Sequence, residues 1–174
     1  MTQYARPNST ISRGSWSPSS NLHLTIDETL VDDGDYTYVQ DDGGSGEEPM
    51  TVTLSSVTDP VTATAHAWTV RAKKDTGTCR LDVELRQGAS TVIATDSNYI
   101  TTGWVDYTYT LSSAEANAIT NYSTLRFKII AEDEAEEDGT TSVSWAYFSV
   151  PDLATGAAPA WQRLDSRVLH QIRR

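Results

Sequence analysis

The 174-residue chain carries 13 Lys+Arg against 24 Asp+Glu, a formal net charge of -11, with 38% hydrophobic residues, three His and one Cys. That balance excludes a general nucleic-acid binder, which needs clustered basic side chains to neutralise phosphates. A lone Cys79 excludes a disulfide framework and a Cys-rich zinc site, so packing must hold the fold.

No apolar run reaches the roughly 20 residues of a membrane helix, and Met1–Pro7 lacks a signal-peptide core, so no membrane partner is expected. The product is expected to stay in a cytoplasm unless something carries it out. Alternation with period two dominates the body and predicts antiparallel strands with one wet face. It begins at Leu22, Leu24 and Ile26, passes the turn-forming segments 32–35 and 41–46, and resumes at Met50, Val52 and Leu54. A long strand is expected over Thr62–Lys73, rich in Thr, Val and Trp, which suit pleated surfaces. Between the Gly-bearing turns 75–77 and 87–90, Cys79, Leu81, Val83 and Leu85 point one way and Arg80, Asp82, Glu84 and Arg86 the other.

Val105, Tyr107, Tyr109 and Leu111 share parity in the next strand, which predicts core packing for the two tyrosines. Ser112 and Glu115 then form a capping-box signature, opening a short helix over Ala114–Ile119 that ends near Asn121. Leu125, Phe127 and Ile129 alternate again, an acidic turn spans 132–139, and Ser142–Val150 is a last long strand. Eight or nine strands with no alternating helices predict an all-β fold. Its form is an antiparallel, jelly-roll-like β-sandwich over residues 1–151, with one connector helix.

After Pro151 the composition changes. Residues 152–160 are an Ala/Gly/Pro linker, and in 161–174 Trp161, Leu164, Val168 and Ile172 fall on one face of a helix beside Arg163 and Arg167. A C-terminal amphipathic helical arm is expected. The charge divides at the same place: residues 1–160 hold 9 basic and 23 acidic side chains, net -14, and residues 161–174 are net +3. Such an arm either grips a partner through Trp161, Leu164, Arg167, Val168 and Ile172 or covers its own sandwich.

Catalytic signatures are missing. No G-x-S-x-G elbow occurs, and His23, His66 and His170 have no evident site partners, so the reading is non-enzymatic. Cys79 alternates with core residues, as a small buried hydrophobe would. The acids between Asp27 and Glu48 and those of 132–138 read as solvated loops. Structural calcium at Asp32, Asp33 and Asp35 is the one cofactor considered, although the spacing is not that of an EF-hand loop. Among the aromatic residues Trp16, Trp68, Trp104, Trp145, Tyr107, Tyr109 and Tyr147, the best candidate for an exposed, ligand-binding ring is Trp104, which follows Gly103 with parity opposite to Val105.

Four stretches carry a family resemblance: Arg13–Pro18; Ile26–Glu28 with Asp32–Tyr36; Tyr109–Ser112 through Ile119–Tyr122 to Arg126; and Val143–Trp145 to Pro151. They resemble a jelly-roll module of tailed-bacteriophage virion structural proteins, over about residues 6–151. The resemblance implies no catalytic residues. It implies a virion location, with assembly in the host cytoplasm, and a head decoration (cement) protein that stabilises the shell by binding the major capsid protein or another virion protein. Homo-oligomers are compatible with that role. The alternative is a tail-fibre or tail-associated carbohydrate- or receptor-binding module.

Overall fold

Ten strands make two antiparallel sheets in the computed structural model, which describes residues 1–18, 20–40, 46–133 and 139–153. In chain order the strands are β1 (Thr2–Ala5), β2 (Pro7–Ser12), β3 (Thr37–Gln40), β4 (Glu47–Leu54), β5 (Ala67–Lys74), β6 (Cys79–Gln87), β7 (Thr91–Tyr99), β8 (Val105–Thr110), β9 (Leu125–Asp133) and β10 (Thr140–Pro151). The first sheet runs β1-β10-β5-β8, with β3 also paired to β10; the second runs β2-β4-β9-β6-β7. Apart from the β6–β7 hairpin, sheet neighbours are not consecutive in sequence, and the chain is a mostly β, jelly-roll-like sandwich.

Alternation explains why these segments pair. In β6 every second residue from Cys79 to Leu85 is buried, and this row lies beside Phe127 and Ile129 of β9, which pair in turn with Val52 and Met50 of β4 on the same inner face, all four fully buried. The first sheet contributes Val70, Ala72, Val143, Ala146, Phe148 and Val150 from its inner face. Trp68 joins the two layers. Its ring stacks on Tyr109 at 4.6 Å and meets the edge of Phe127 from the other sheet at 6.3 Å. Tyr107 and Tyr109 pack against the core as their parity predicts.

The capping box forms as expected. The Ser112 hydroxyl accepts from the Glu115 amide and the Glu115 carboxylate accepts from the Ser112 amide, opening α1 over Ser113–Ala118. Tyr109 donates its hydroxyl to the same carboxylate at 2.9 Å, so the helix is tied to β8.

Three expectations need correction. Leu22, Leu24 and Ile26 do not form a strand: Leu22–Thr25 is a 3-10 turn, with Leu22 and Ile26 buried and Leu24 53% exposed. Local bonds explain the choice. Asn21 adopts the left-handed region, which Asn tolerates better than most residues, and the Thr25 hydroxyl donates to the Leu22 carbonyl at 2.8 Å, a side-chain competition typical of Thr. Second, the strand expected from Thr62 begins only at Ala67. Residues 61 to 65 turn through positive φ at Val61 and Ala65. Third, the described residues form ten strands rather than eight or nine; β1 and β3 are four-residue edges too short to announce themselves by period.

The arm residues Trp161, Leu164, Arg167, Val168 and Ile172, and linker residues 154–160, lie outside the described residues.

Candidate functional site on the outer face of the first sheet

The two outer faces differ in chemistry. On the second sheet Arg80 pairs with Asp82 and Glu132, and Arg86 with Glu84. These half-buried pairs satisfy one another and leave an ordinary charged face. The first sheet carries aromatic rings.

One extra residue sets that pattern. The register of β10 against β5 shifts between Val143 and Trp145, so Ser144 is a bulge residue and the in-out order reverses after it. Trp145 and Tyr147 consequently face outward while Ala146, Phe148 and Val150 face the core. The bulge is held from a distance. Ser144 donates its hydroxyl to Asp33 at 3.0 Å, and the Ala146 amide donates to the Ile26 carbonyl at 3.0 Å. β1 and β3 occupy the same edge of β10 at its two ends, and the chain around Ile26 fills the gap between them.

At this gap lies a cleft of about 270 Å³ lined by Tyr4, Arg6, Thr29, Trp145 and Tyr147. Tyr147 meets Tyr4 at 5.3 Å and Trp145 at 4.7 Å, both edge to face. The Trp145 indole N–H donates to the Glu28 carbonyl at 2.7 Å, which fixes the ring. The Arg6 guanidinium lies 5.7 Å from the centroids of Tyr4, Trp145 and Tyr147, within cation–π range.

Beside the cleft, Arg71 binds Asp33 through two contacts at 2.8 Å and Asp106 through a third. The fork to Arg71 holds the Asp33 carboxyl below its ordinary range, and the hydrogen bonds to Asp33 and Asp106 raise that of Arg71. Asp33 is thus a structural anchor rather than part of a solvated run. The Glu28 carboxyl is pushed up to about 7, first by burial and then by Asp27, Asp35 and Asp32. Its Oε2 is buried without a hydrogen-bond partner.

Trp104 sits in a second patch. It is half-buried rather than open, with Lys73 Nζ 4.7 Å over its ring and Tyr36 5.8 Å away at its edge. Tyr36 in turn neighbours Tyr38 at 6.2 Å. The structure therefore keeps Trp104 on the surface but covers part of it. The better ring cluster is Trp145, Tyr147 and Tyr4. A signal for it was present: apolar residues at 146, 148 and 150 leave 145 and 147 on the opposite face.

The remaining candidates are structural. Cys79 is buried. His66 is fully buried; its Nδ1 donates to the Thr64 carbonyl and its Nε2 accepts from the Tyr122 hydroxyl at 2.8 Å, a tautomer set by the carbonyl, which can only accept. Burial lowers the imidazole's basicity and keeps it neutral. His23 bonds Thr10 at 3.0 Å, and His170 lies outside the described residues. Trp16 is buried and donates to the Glu48 carbonyl. Among the described residues no three His, Cys, Asp or Glu side chains converge to hold a metal ion. Of the calcium candidates, Asp33 is engaged by Arg71 and Asp32 caps its own turn at the Gly34 amide.

No protein-family profile and no curated protein matches the chain. Solved structures of similar shape exist. One, titled "CBM4 structure and function", has a TM-score of 0.45 at 12% identity, over 67% of this chain and 84% of that one. A family 29 carbohydrate-binding module from Piromyces equi has a TM-score of 0.42 at 10% identity, over 87% and 92%. A cyclase from Fischerella sp. TAU has a TM-score of 0.46 at 18% identity, over 87% and 74%. These likenesses concern architecture alone.

Proposed function

We propose that the sandwich is a non-enzymatic carbohydrate-binding module of a virion structural protein, using the outer face of the first sheet. The observation that carries this reading is the Tyr4–Trp145–Tyr147 cluster around its cleft. Preoriented surface rings stack on the apolar faces of sugars, and here exposed Tyr4 stands beside half-buried Tyr147 and Trp145, the last fixed by its own indole hydrogen bond and so losing little freedom on binding. The cleft supplies one guanidinium and rings, a set that holds a ligand rather than cleaving it.

The head-decoration reading rests on the arm, and what favours it is the charge division between a body at -14 and a terminus at +3. Both readings are tested together by comparing the full chain, Trp145→Ala and a chain ended at Leu153. Each is assayed on a glycan array and on undecorated capsids. Glycan binding should survive truncation and fall about tenfold or more in Trp145→Ala, while Trp104→Ala changes it less than about twofold. Absence of glycan binding, or indifference to Trp145→Ala, would overturn the module reading. Capsid binding that requires residues 154–174 would favour decoration.

A further inference from the structure

We infer that the Tyr4–Trp145–Tyr147 cleft selects a saccharide bearing a carboxylate, held by the Arg6 guanidinium; this rests on the carbohydrate-binding reading. Arg6 follows β1, and its Nη1 donates to the Glu28 carbonyl at 2.5 Å while Nη2 reaches the Thr29 carbonyl at 3.5 Å. These bonds fix the plane of the fork. Both acceptors are neutral. Among the described residues no carboxylate lies within ion-pair distance of Arg6; Arg71, Arg80 and Arg86 each hold one, and of the remaining unpaired cations Arg6 is the one set among three rings. In a chain with almost two acids per base, a guanidinium braced on two carbonyls, walled by three rings and left without an acid is matched to an acid supplied from outside.

The rest of the lining agrees. Tyr4, Thr29, Trp145 and Tyr147 add no Asp, Glu, Asn or Gln, so the cleft lacks the carboxylates and amides that grip neutral sugar hydroxyls. Its dominant polar group is a pure donor, matched to a planar acceptor pair. Three rings around the guanidinium reduce its access to water, which strengthens a charge-assisted bond and makes the unpaired state less favourable. A carboxylate on a pyranose ring meets both demands, its sugar face on Trp145 and Tyr147 and its oxygens on Arg6.

The test is calorimetric titration of the full chain with two acid–ester pairs: trigalacturonate and its methyl ester, and sialyllactose and its methyl ester. At least one acid should bind about tenfold or more tightly than its ester. Arg6→Gln should abolish that preference and Arg6→Lys restore part of it, because a point charge lacks the fork. Since Arg6 also braces the Glu28–Thr29 backbone, Tyr4→Ala provides a second variant at a 51%-exposed position. It should weaken acid and ester alike and leave their ratio unchanged. Equal affinity within both pairs, or a preference that persists in folded Arg6→Gln, overturns the inference while leaving neutral-sugar binding intact. Failure to bind any array glycan instead removes the reading beneath it.

Discussion

Replacing Trp68 by alanine should destabilise the sandwich by about 3–5 kcal/mol, the range for emptying a large aromatic site in a packed core. Domains of this kind have total stabilities of about 5–15 kcal/mol, so the variant loses a large part of its margin. The residue is 1% exposed, it stacks on Tyr109 of β8, and it meets Phe127 of the facing sheet. Phe127 belongs to β9, which is paired on both sides, and Tyr109 to β8, which is paired to β5 itself, so neither can collapse into the space without breaking register. Trp68→Phe should recover part of the loss. Urea unfolding followed by tyrosine and tryptophan fluorescence measures both, and an effect below about 1 kcal/mol for the alanine variant would refute the assignment of Trp68 as the bridge between sheets.

The second large effect is expected at Gly14, in the segment Arg13–Pro18. Its φ is +54°, and an added Cβ would lie 2.4 Å from the Pro49 carbonyl oxygen. Two penalties combine. A left-handed Ala costs about 1 kcal/mol or more, and the overlap forces the turn away from β4, at about 1–3 kcal/mol. Gly88 is the control, because its φ is +65° with nothing within 4 Å of the added atom. Gly88→Ala should show only the conformational part. The turn also orients buried Trp16, whose indole donates to Glu48 at 2.8 Å, so Gly14→Ala should loosen the β2–β4 edge. Equal midpoint shifts for the two variants would show that the contact with Pro49 is unimportant.

Much of the architecture was legible because the signal is local. β6 lies between β9 and β7, has one face in the core and one in water, and therefore displays period two without interruption. The capping box at Ser112 and Glu115 was readable for the same reason: both of its bonds join residues three apart. Where a short local turn replaces a strand, the alternating pattern misleads. Leu22 and Ile26 are buried one helical turn apart, a spacing that four residues of alternation conceal.

The candidate site shows the same division. Trp145 and Tyr147 were visible as surface-ring candidates, yet their outward direction depends on the bulge at Ser144. That bulge is set by Asp33 and Ile26, more than a hundred residues away. Trp104 lost its priority because Lys73 and Tyr36, from other parts of the chain, cover it. Arg6 carried no sequence signal at all. Its importance comes from three rings and two carbonyls brought around it by the β1–β10 pairing and the Glu28–Thr29 crossing.

The claim that the outer face of the first sheet is the binding surface is tested most directly by a heteronuclear NMR titration with the strongest array glycan. The Trp145 indole N–H, anchored on Glu28, gives a side-chain signal among five tryptophans. Binding in the cleft should shift that signal together with the amides of Arg6, Thr29 and Tyr147. The signals of Arg80, Asp82 and Glu84 on the opposite sheet should stay in place. Shifts centred on the opposite sheet, or on Trp104 with Trp145 unmoved, would contradict the account.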